Sequence, residues 1–354
     1  MRQAASVVIV FTCHNQAKGG GEGHVGELSR LCATAKIPYF VLGHGDGGGA
    51  ELDASFSVAQ LSNRRVRHKL REASVLFLHG GPRDLLLALW CRCFSRAVIW
   101  LQLHVSNTPS SSWRAAQFVA NAVLWVLTHW VVHRVIRVSS NQNAPLKHME
   151  IIPPLTDLDR LSLNGSFIAG RKSEKLNVLF CGRAPGVDES TDSKGWLRAI
   201  EVLKHLRVRY PTITISHCGG GTLTNLMKKA CLEAGIQLNQ TAWEVDPFAV
   251  VSEQQTPACL FLLSQSESYG LCVVEAQYVG LPSIISDAIP DDAILVPELC
   301  LRVEAIADPV AVAGTCEQFL DTVAVIDRAS AIVYDNQLRA RAKYLDLLRF
   351  ASER

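Results

Sequence analysis

The sequence predicts an α/β protein made of two doubly wound, Rossmann-like units, and three observations support this fold class. Short apolar runs rich in β-branched residues alternate with helix-period segments, and continuous apolar strands are typical of parallel strands buried on both faces. The pattern restarts after Pro153, Pro154 and the polar run at 164–175, which has the composition of a linker. With 354 residues, of which 48% are hydrophobic, the chain is long enough for two packed cores.

The first half contains the first set of predicted strands and helices. The strands are expected at 6–12, 39–42, 74–79, 97–104, 135–139 and 150–153. The helix-period segments between them are 23–35, 65–72 and 85–94. Strands that alternate with helices in this way form parallel sheets, so residues 1–160 are predicted to form a first doubly wound domain.

A second domain of the same kind is predicted for residues 161–334. Its strands are expected at 176–181, 213–217, 260–264 and 283–286, and its helices at 195–209, 222–234 and 271–279. Residues 335–354 form a predicted C-terminal helix that could cross back to the first domain. Two such domains are expected to face a cleft, and ligands of parallel sheets bind beyond the carboxyl ends of the strands. The chemistry is therefore expected on loops that follow strands.

The two halves of the chain carry opposite charge. Residues 1–160 contain 17 Lys and Arg against 10 Asp and Glu, whereas the remainder contains 18 against 23. The basic segment 63–73, NRRVRHKLREA, together with Arg92 and Arg96, could dock on an acidic membrane; the alternative is a solvated helix face. Because the basic charge comes without an aromatic-interleaved patch or a known motif, nucleic-acid binding is poorly supported.

The cysteines indicate a cytosolic protein. Eleven of them are scattered without a CxxC pair, and Cys91 and Cys93 alone lie close in sequence. This spacing favours buried reduced thiols over a disulfide framework or a zinc site. The N-terminal apolar run lacks a small-residue cleavage site, so it fits a buried strand better than a signal peptide.

One apolar segment, 118–136, approaches the length needed to span a membrane. Polar side chains interrupt it at Asn121, His129 and Arg134, and these are costly in hydrocarbon. The interruptions favour a buried or interfacial helix over a membrane span.

The first strand of the second domain is followed by a cationic pattern. In FCGRAPGVDESTDSKG, residues 180–195, Gly182 and Arg183 follow the strand, and Lys194 and Gly195 open a helix after an acidic loop. Two such cations beside a helix N-terminus can bind a doubly charged phosphate group. Taken alone, cations at loop ends are also common on solvated surfaces.

A glycine run, HCGGG at 217–221, follows the next strand. Glycines such as Gly219 allow the backbone to approach a ligand closely, although turns explain most runs of this kind.

Two carboxylates flank a glycine in the stretch SESYGLCVVEAQYVGLP. Glu267 lies in a loop, Gly270 precedes a helix, and Glu275 lies about one turn inside that apolar helix. A buried carboxylate needs hydrogen-bond donors, and the hydroxyls of a sugar or ribose would supply them. An internal ion pair or a helix-capping role is the alternative.

These motifs together resemble GT-B glycosyltransferases of family 4. The order GR, KG and E-x7-E, followed by GLCVVEAQYVGLPSIISD, is similar to the donor-binding domain of that family. In the first half, HNQAKGGGEGHVGELSRL resembles its glycine-rich loop and helix, and SVLFLHGG and AVIWLQLHVS resemble its histidine-ended strands. The segments RVSSNQNAPL and IIPPLTD resemble the parts that precede the interdomain linker. The resemblance implies the GT-B fold, with two Rossmann-like domains facing a cleft.

The resemblance also implies roles for individual residues. Arg183 and Lys194 would bind the donor diphosphate, Glu267 would contact the donor sugar, and Glu275 would bind the ribose hydroxyls. His104 would lie beside the reacting centre; with Glu267, Arg183 and Lys194 it forms the predicted catalytic set. His79 is a second candidate that could equally be structural. The backbone positions expected to approach the donor are Gly20, Gly21, Gly219, Gly270 and Leu271.

The chain departs from the family pattern at three places. The loop between Arg183 and Lys194 is longer and more acidic than usual. The segment 287–292, DAIPDD, replaces the common glycine pair and is more like enzymes that build exopolysaccharide and capsule repeats. Pro154 stands where the family usually has an asparagine. The donor-sugar contacts of the 287–292 loop are therefore open.

The function implied by the resemblance is retaining transfer of a sugar from a UDP- or GDP-linked donor, without cofactor or metal, because the family lacks a metal-binding DxD motif. The expected acceptor is a saccharide or lipid-linked saccharide, at the cytoplasmic face of a membrane. A sugar-nucleotide epimerase and a non-catalytic sugar-nucleotide-binding protein are alternatives with the same architecture.

Overall fold

The computed structural model describes residues 8–14, 20–44, 54–56, 64–79, 82–93, 95, 97–103, 126, 130–140, 149–161, 173–241, 246–252 and 256–352. The chain divides into two compact units, residues 1–156 with 337–354, and residues 157–336. The final helix begins in the second unit and belongs to the first from residue 337 onward.

The first unit contains a seven-stranded sheet in the order β3-β2-β1-β4-β5-β6-β7, with every described pairing parallel. Its strands are β1 (Val8–His14), β2 (Tyr39–His44), β3 (Ala54–Phe56), β4 (Ala73–Leu78), β5 (Val98–Leu103), β6 (Arg134–Arg137) and β7 (Met149–Ile151). The described helices of this half are α1 (Gly20–Thr34), α2 (Arg64–Glu72) and α3 (Pro82–Arg92).

Both faces of this sheet are covered by helices. Val75 and Phe77 of β4 pack in one core with α1 and with the final helix of the chain. The alternate residues Leu76 and Leu78 pack in a second core with α2 and α3. Successive side chains of a strand point to opposite faces, so burial on both faces requires the continuous apolar runs of the sequence.

A buried chain of polar groups links α1 to the sheet and to the final helix. The backbone N–H of Leu155 donates to Nδ1 of His24 at 2.8 Å, so the ring proton is on Nε2, which donates to Gln102 at 2.9 Å. The Gln102 amide in turn donates to the Tyr344 hydroxyl at 2.8 Å. Because buried polar groups are costly when unpaired, this chain fixes how the three elements pack.

The second unit contains a six-stranded parallel sheet in the order β10-β9-β8-β11-β12-β13. Its strands are β8 (Lys175–Cys181), β9 (Thr212–Cys218), β10 (Gln237–Thr241), β11 (Ala258–Leu262), β12 (Ser283–Ser286) and β13 (Cys300–Val303). The helices are α4 (Trp196–Leu206), α5 (Thr224–Ala234), α6 (Pro247–Ser252), α7 (Leu271–Tyr278) and α8 (Pro309–Thr322), and α9 (Ala329–Ser352) ends the chain. The prediction of doubly wound α/β architecture is confirmed.

The apolar segment 118–136 is described only in part. Its last residues from Arg134 onward lie in β6, so a helix that continues to residue 136 is wrong: pairing with β5 takes these residues into the sheet. Val126 and Trp130 are exposed, Trp130 to 80%. Residues 118–125 and 127–129 lie outside the described residues. Within the described part of the chain, no helix is both long and apolar enough to cross a membrane.

Candidate functional site

The candidate site lies where the strand order of the second sheet reverses. β8 is flanked by β9 on one side and β11 on the other, so the loops after β8 and β11 leave the sheet next to each other. Ligands of open α/β sheets bind at such a switch point, beyond the carboxyl ends of the strands. Arg183 and Lys194 are on the loop after β8, and Glu267 is on the loop after β11.

Two buried side chains, His217 and Trp196, fix the turn after β8 by hydrogen bonds to its carbonyl groups. Gly182 has φ of 139°, and its carbonyl accepts a hydrogen bond from Nε2 of the buried His217 at 3.0 Å. The carbonyl of Arg183 accepts from the Trp196 indole N–H at 3.0 Å. These bonds fix the backbone of the turn, while the Arg183 side chain is exposed. Burial lowers the pKa of His217, so at neutral pH the ring is neutral.

The acidic loop that follows is ordered by its own carboxylates. Asp188 accepts hydrogen bonds from the backbone N–H and the hydroxyl of Thr191, which closes a short 3₁₀ turn. The buried Asp192 accepts from the N–H of Leu197 at 2.8 Å and caps the start of α4. Asp188 and Asp192 therefore have a structural role in this loop, because they satisfy backbone donors.

Gly195 allows the start of α4 to lie directly against the end of β11. It has φ of 69°, and a Cβ at this position would clash with the carbonyl oxygen of Leu263. Beside it, the N–H of Gln265 donates to the carbonyl of Ser193 at 3.0 Å. Only a glycine permits this approach, which brings the Lys194 loop onto the Glu267 loop.

Lys194 and Glu267 form an ion pair at this junction. Their side chains are 25% and 13% exposed, so the pair is largely shielded from water. Burial is the largest single influence on Lys194 and lowers its pKa, but the charge and hydrogen bond of Glu267, together with the neighbouring Cys272 and Cys181, raise the pKa above its ordinary value. Ser264, at the end of β11, donates to the same carboxylate oxygen at 3.4 Å.

The N-terminus of α7 follows the Glu267 loop. Gly270 has φ of 87° and turns the chain into the helix at Leu271, with no side chain capping the first turn. The N–H groups of such a turn carry partial positive charge and favour an anion.

Glu275 is buried in α7 and is paired with a residue that the sequence did not single out. Its Oε1 accepts from Nη2 of Arg160 at 2.7 Å, and its side chain is 7% exposed. The internal ion pair that the sequence left open is thus present in the structure. Arg160 gave no signal in the sequence, because it lies in the short connection before the second sheet, 115 residues from its partner.

The remaining predicted site residues are distributed over both units. Gly219 follows β9, and its carbonyl accepts from the Gln240 amide at 3.2 Å. Gly20 and Gly21 are the first two residues of α1 in the first unit. His79 follows β4 and is buried, with its ring stacked on Phe77. His104 lies outside the described residues.

Solved structures with similar folds are glycosyltransferases. HepE from Anabaena, solved in complex with UDP-glucose, aligns with a TM-score of 0.72 at 13% identity over 97% of this chain and 99% of its own. Sucrose-phosphate synthase from Thermosynechococcus elongatus aligns with a TM-score of 0.70 at 15% identity, covering 95% of this chain and 94% of its own. The fold is that of GT-B glycosyltransferases.

Three further comparisons concern a family model, another solved structure and the curated proteins. Residues 168–294, which include the loops after β8 and β11, match the family model described as glycosyl transferases group 1. A point mutant of TarM from S. aureus, solved with fondaparinux, α-GlcNAc-glycerol and UDP, aligns with a TM-score of 0.68 at 10% identity over 98% of each chain. No curated protein matches the chain in sequence.

Proposed function

We propose that this GT-B protein is a glycosyltransferase that moves a sugar from a nucleotide-diphosphate donor to an acceptor hydroxyl, with retention of the anomeric configuration. The observation that carries the proposal is the Lys194–Glu267 pair at the switch point, within the segment that matches the group 1 model. A partly buried cation beside a helix N-terminus that no side chain caps suits a diphosphate, and the carboxylate paired with that cation suits the hydroxyls of the attached sugar.

In the proposed donor complex, Arg183 and Lys194 bind the diphosphate. The first-turn amides of α7, at Gly270 and Leu271, contribute further donors. When the diphosphate binds the Lys194 ammonium group, the ion pair between Lys194 and Glu267 would break. The Glu267 carboxylate would then bind the donor sugar. The diphosphate gains negative charge as the glycosidic bond breaks, so donors placed around it stabilise the transition state.

Glu275 is assigned to the ribose hydroxyls, with Arg160 holding its carboxylate in place. Arg160 is about half exposed whereas Glu275 is buried, so ribose hydroxyls can add hydrogen bonds to a carboxylate that keeps Arg160 as its charged partner. Keeping this pair in the donor complex avoids the cost of a buried carboxylate without a cation.

The proposed chemistry needs no carboxylate nucleophile. The acceptor hydroxyl attacks on the face that the diphosphate leaves, and a diphosphate oxygen takes the hydroxyl proton. Glu267 orients the sugar. His104, which lies outside the described residues, is assigned in this proposal to the reacting centre, by analogy with the family that the sequence resembles. Arg183 and Lys194 supply the positive charge that a metal ion would otherwise provide, so the proposal requires no metal.

The acceptor is proposed to be a saccharide, and more specifically a lipid-linked saccharide used in exopolysaccharide or capsule assembly. The support is the first unit, where α2 and α3 pack on the same face of the sheet as Val131. The side of the first unit that is covered by α2 and α3 therefore carries three exposed side chains: Arg64 and Arg71 of α2, and Trp130, which is 80% exposed. Basic side chains with an exposed indole suit an acidic membrane surface at the cytoplasmic face.

Vesicle flotation tests the membrane step. The wild type should float with acidic vesicles, and a variant with Arg64, Arg65, Arg67 and Arg71 changed to Glu should remain in solution. Equal flotation of both proteins would remove the docking claim without affecting the transfer reaction.

The transfer reaction is tested first by thermal shift with UDP-, GDP- and ADP-linked sugars, beginning with UDP-glucose, and then by assay with saccharide and lipid-linked acceptors. A glycosidic product with the donor's anomeric configuration supports the proposal. Donor binding with no transfer to any acceptor would favour a sensor, and release of an epimer would favour an epimerase.

A further inference from the structure

The 286–292 segment, with the sequence SDAIPDD, contacts both ends of the loop that carries Glu267. The segment begins at the last residue of β12, the strand that lies next to β11 in the sheet. The loop runs from Ser264, after β11, to Gly270, before α7. Three contacts join the segment to the loop, and each of them involves a buried side chain.

At the start of the loop, two serines link the segment to the Glu267 carboxylate. The hydroxyl of Ser286 donates to the carbonyl of Ser264 at 2.6 Å, and both serines are completely buried. The hydroxyl of Ser264 in turn donates to Oε2 of Glu267 at 3.4 Å. Ser286 therefore fixes the backbone of the residue whose side chain contacts the carboxylate.

At the end of the loop, Tyr269 joins the same segment. Its side chain is buried, and its hydroxyl donates to the backbone carbonyl of Asp292 at 3.1 Å. Beside it, the buried Ile289 packs at Gly270, where a Cβ would lie 3.5 Å from the Ile289 side chain. A buried tyrosine hydroxyl is costly without a partner, so this bond favours one position of the loop. Tyr269 is two residues from Glu267, so the loop is fixed on both sides of the carboxylate.

The segment is in turn anchored by side chains of α7 and β13. Gln277, buried in α7, makes hydrogen bonds to the backbone of residues 293–296, which directly follow the segment. Arg302 of β13 pairs with the Asp291 carboxylate and donates to the carbonyl of Ile289. Because these bonds fix the segment, it can hold the loop that it contacts.

We propose that Tyr269 and Ser286 are positioning residues for Glu267, which hold its loop so that the carboxylate meets the hydroxyls of the donor sugar. The inference rests on the proposed function, because it takes Glu267 as the group that binds the sugar. A binding side chain is effective only when the contacts around it fix its position. Lys194, which is assigned to the diphosphate, is on the loop after β8. Sugar recognition and diphosphate recognition should therefore respond separately to changes in the 286–292 segment.

The experiment compares, by calorimetry, the affinities for a nucleotide diphosphate and for its sugar, using the pairs UDP and UDP-glucose, GDP and GDP-glucose, and ADP and ADP-glucose. Tyr269→Phe removes only the hydroxyl. For the pair that the wild type binds, this variant should bind the sugar nucleotide about tenfold more weakly, as expected when hydrogen bonds to a charged group are weakened. Its affinity for the nucleotide diphosphate should stay within about twofold, because Lys194 is unchanged.

Tyr210→Phe is the matched control. Tyr210 is as buried as Tyr269, and its hydroxyl donates to the Asp321 carboxylate at 3.4 Å. It precedes β9, so it lies at the opposite end of the sheet from the candidate site. This control should bind both members of the pair as the wild type does.

Three further variants separate positioning from folding and from direct contact. Ser286→Ala removes the bond at the start of the loop, and Arg302→Met loosens the segment at a side chain that is 37% exposed. Both should weaken the sugar nucleotide selectively, and they carry the comparison if Tyr269→Phe does not fold. In the double variant Tyr269→Phe/Glu267→Gln, the tyrosine change should cause no further loss, because a residue that acts through Glu267 then has nothing to position.

Equal weakening of the nucleotide diphosphate and its sugar, or unchanged affinity for both, would overturn the inference and leave the proposed function in place. Additive losses in the double variant would also overturn it, since Tyr269 would then act independently of Glu267. If the wild type binds no sugar nucleotide, the proposed function and the inference fail together.

Discussion

The ammonium group of Lys194 and the carboxylate of Glu267, 73 residues apart in sequence, form an ion pair where the second sheet reverses its strand order. Each side chain is held by its own loop, and the two loops are joined by the bond between Ser193 and Gln265. The pair presents a cation and a carboxylate together at one point, which suits a donor whose diphosphate is bonded directly to a sugar that carries hydroxyls.

The backbone contact that builds this pair is tested by two glycine substitutions. Gly195→Ala should lower the stability of the second unit and weaken donor binding, because the new Cβ clashes with the Leu263 carbonyl in addition to the cost of a positive φ. Gly280→Ala is the matched control: its φ of 77° is similar, and nothing lies within 4 Å of the added Cβ. The control should cost about 1 kcal/mol from backbone strain alone. Equal thermal destabilisation by both changes would show that the contact with Leu263 is unimportant.

Glu267→Gln should separate sugar binding from phosphate binding. The change keeps the size of the side chain and leaves Lys194 available to the diphosphate, so UDP affinity should be retained or increased. Transfer should fall by roughly 10²–10³ in kcat, as when one transition-state contact is lost. Calorimetry with UDP and initial rates of transfer measure the two effects. A variant that transfers sugar at the wild-type rate would contradict the role given to Glu267.

The pair formed by Glu275 and Arg160 predicts an asymmetry between two substitutions. Glu275→Gln should weaken donor binding by about tenfold, since a charged acceptor for the ribose hydroxyls is lost. Arg160→Gln should leave a buried carboxylate without its cation and lower the free energy of unfolding by about 1–3 kcal/mol. Chemical denaturation and donor titration test both variants. Full donor affinity in Glu275→Gln would remove the ribose assignment.

His217 predicts a pH dependence of stability. Burial lowers its pKa, so the folded state takes up a proton less readily than the unfolded state. The stabilisation that neutral His217 provides is therefore fully present above the ordinary histidine pKa of about 6.5 and is lost as the pH falls below that value. The free energy of unfolding should fall by at most about 1.4 kcal/mol per pH unit from this group. The stability difference between the wild type and His217→Gln should shrink as the pH is lowered from 7.5 to about 5. A difference that stays constant over this range would contradict the prediction.

The sequence predicted the central strands better than the edges of the sheets. β4, β8 and β11 are buried on both faces, and their apolar runs identified them. The strands that the sequence did not predict, β3, β10 and β13, are all at sheet edges. β10, with the sequence QLNQT, has only partly buried or exposed residues and no apolar run to mark it. Edge strands need less burial, so composition carries less information about them.

The same limit applies to the candidate site. Arg183, Lys194, Glu267 and Glu275 stood out because each charged residue lies next to a strand end or inside an apolar helix. Their partners depend on three-dimensional contacts: Lys194 meets Glu267 only because Gly195 allows the close approach. The pairing of Arg160 with Glu275 joins residues that are 115 positions apart in sequence, so it leaves no local pattern.

The central claim is that Lys194 binds the diphosphate of a nucleotide sugar, and donor titration of Lys194→Met tests it most directly. Lys204→Met is the control, because Lys204 is an exposed lysine on α4 that pairs with Glu201. The double variant Lys194→Met/Glu267→Gln removes the unpaired carboxylate and so separates binding from folding. At least one of UDP-, GDP- and ADP-glucose should bind the wild type and Lys204→Met alike, and about 10- to 100-fold more weakly to both Lys194 variants. Equal affinity in wild type and Lys194→Met, or no binding of any donor to the wild type, would contradict the account.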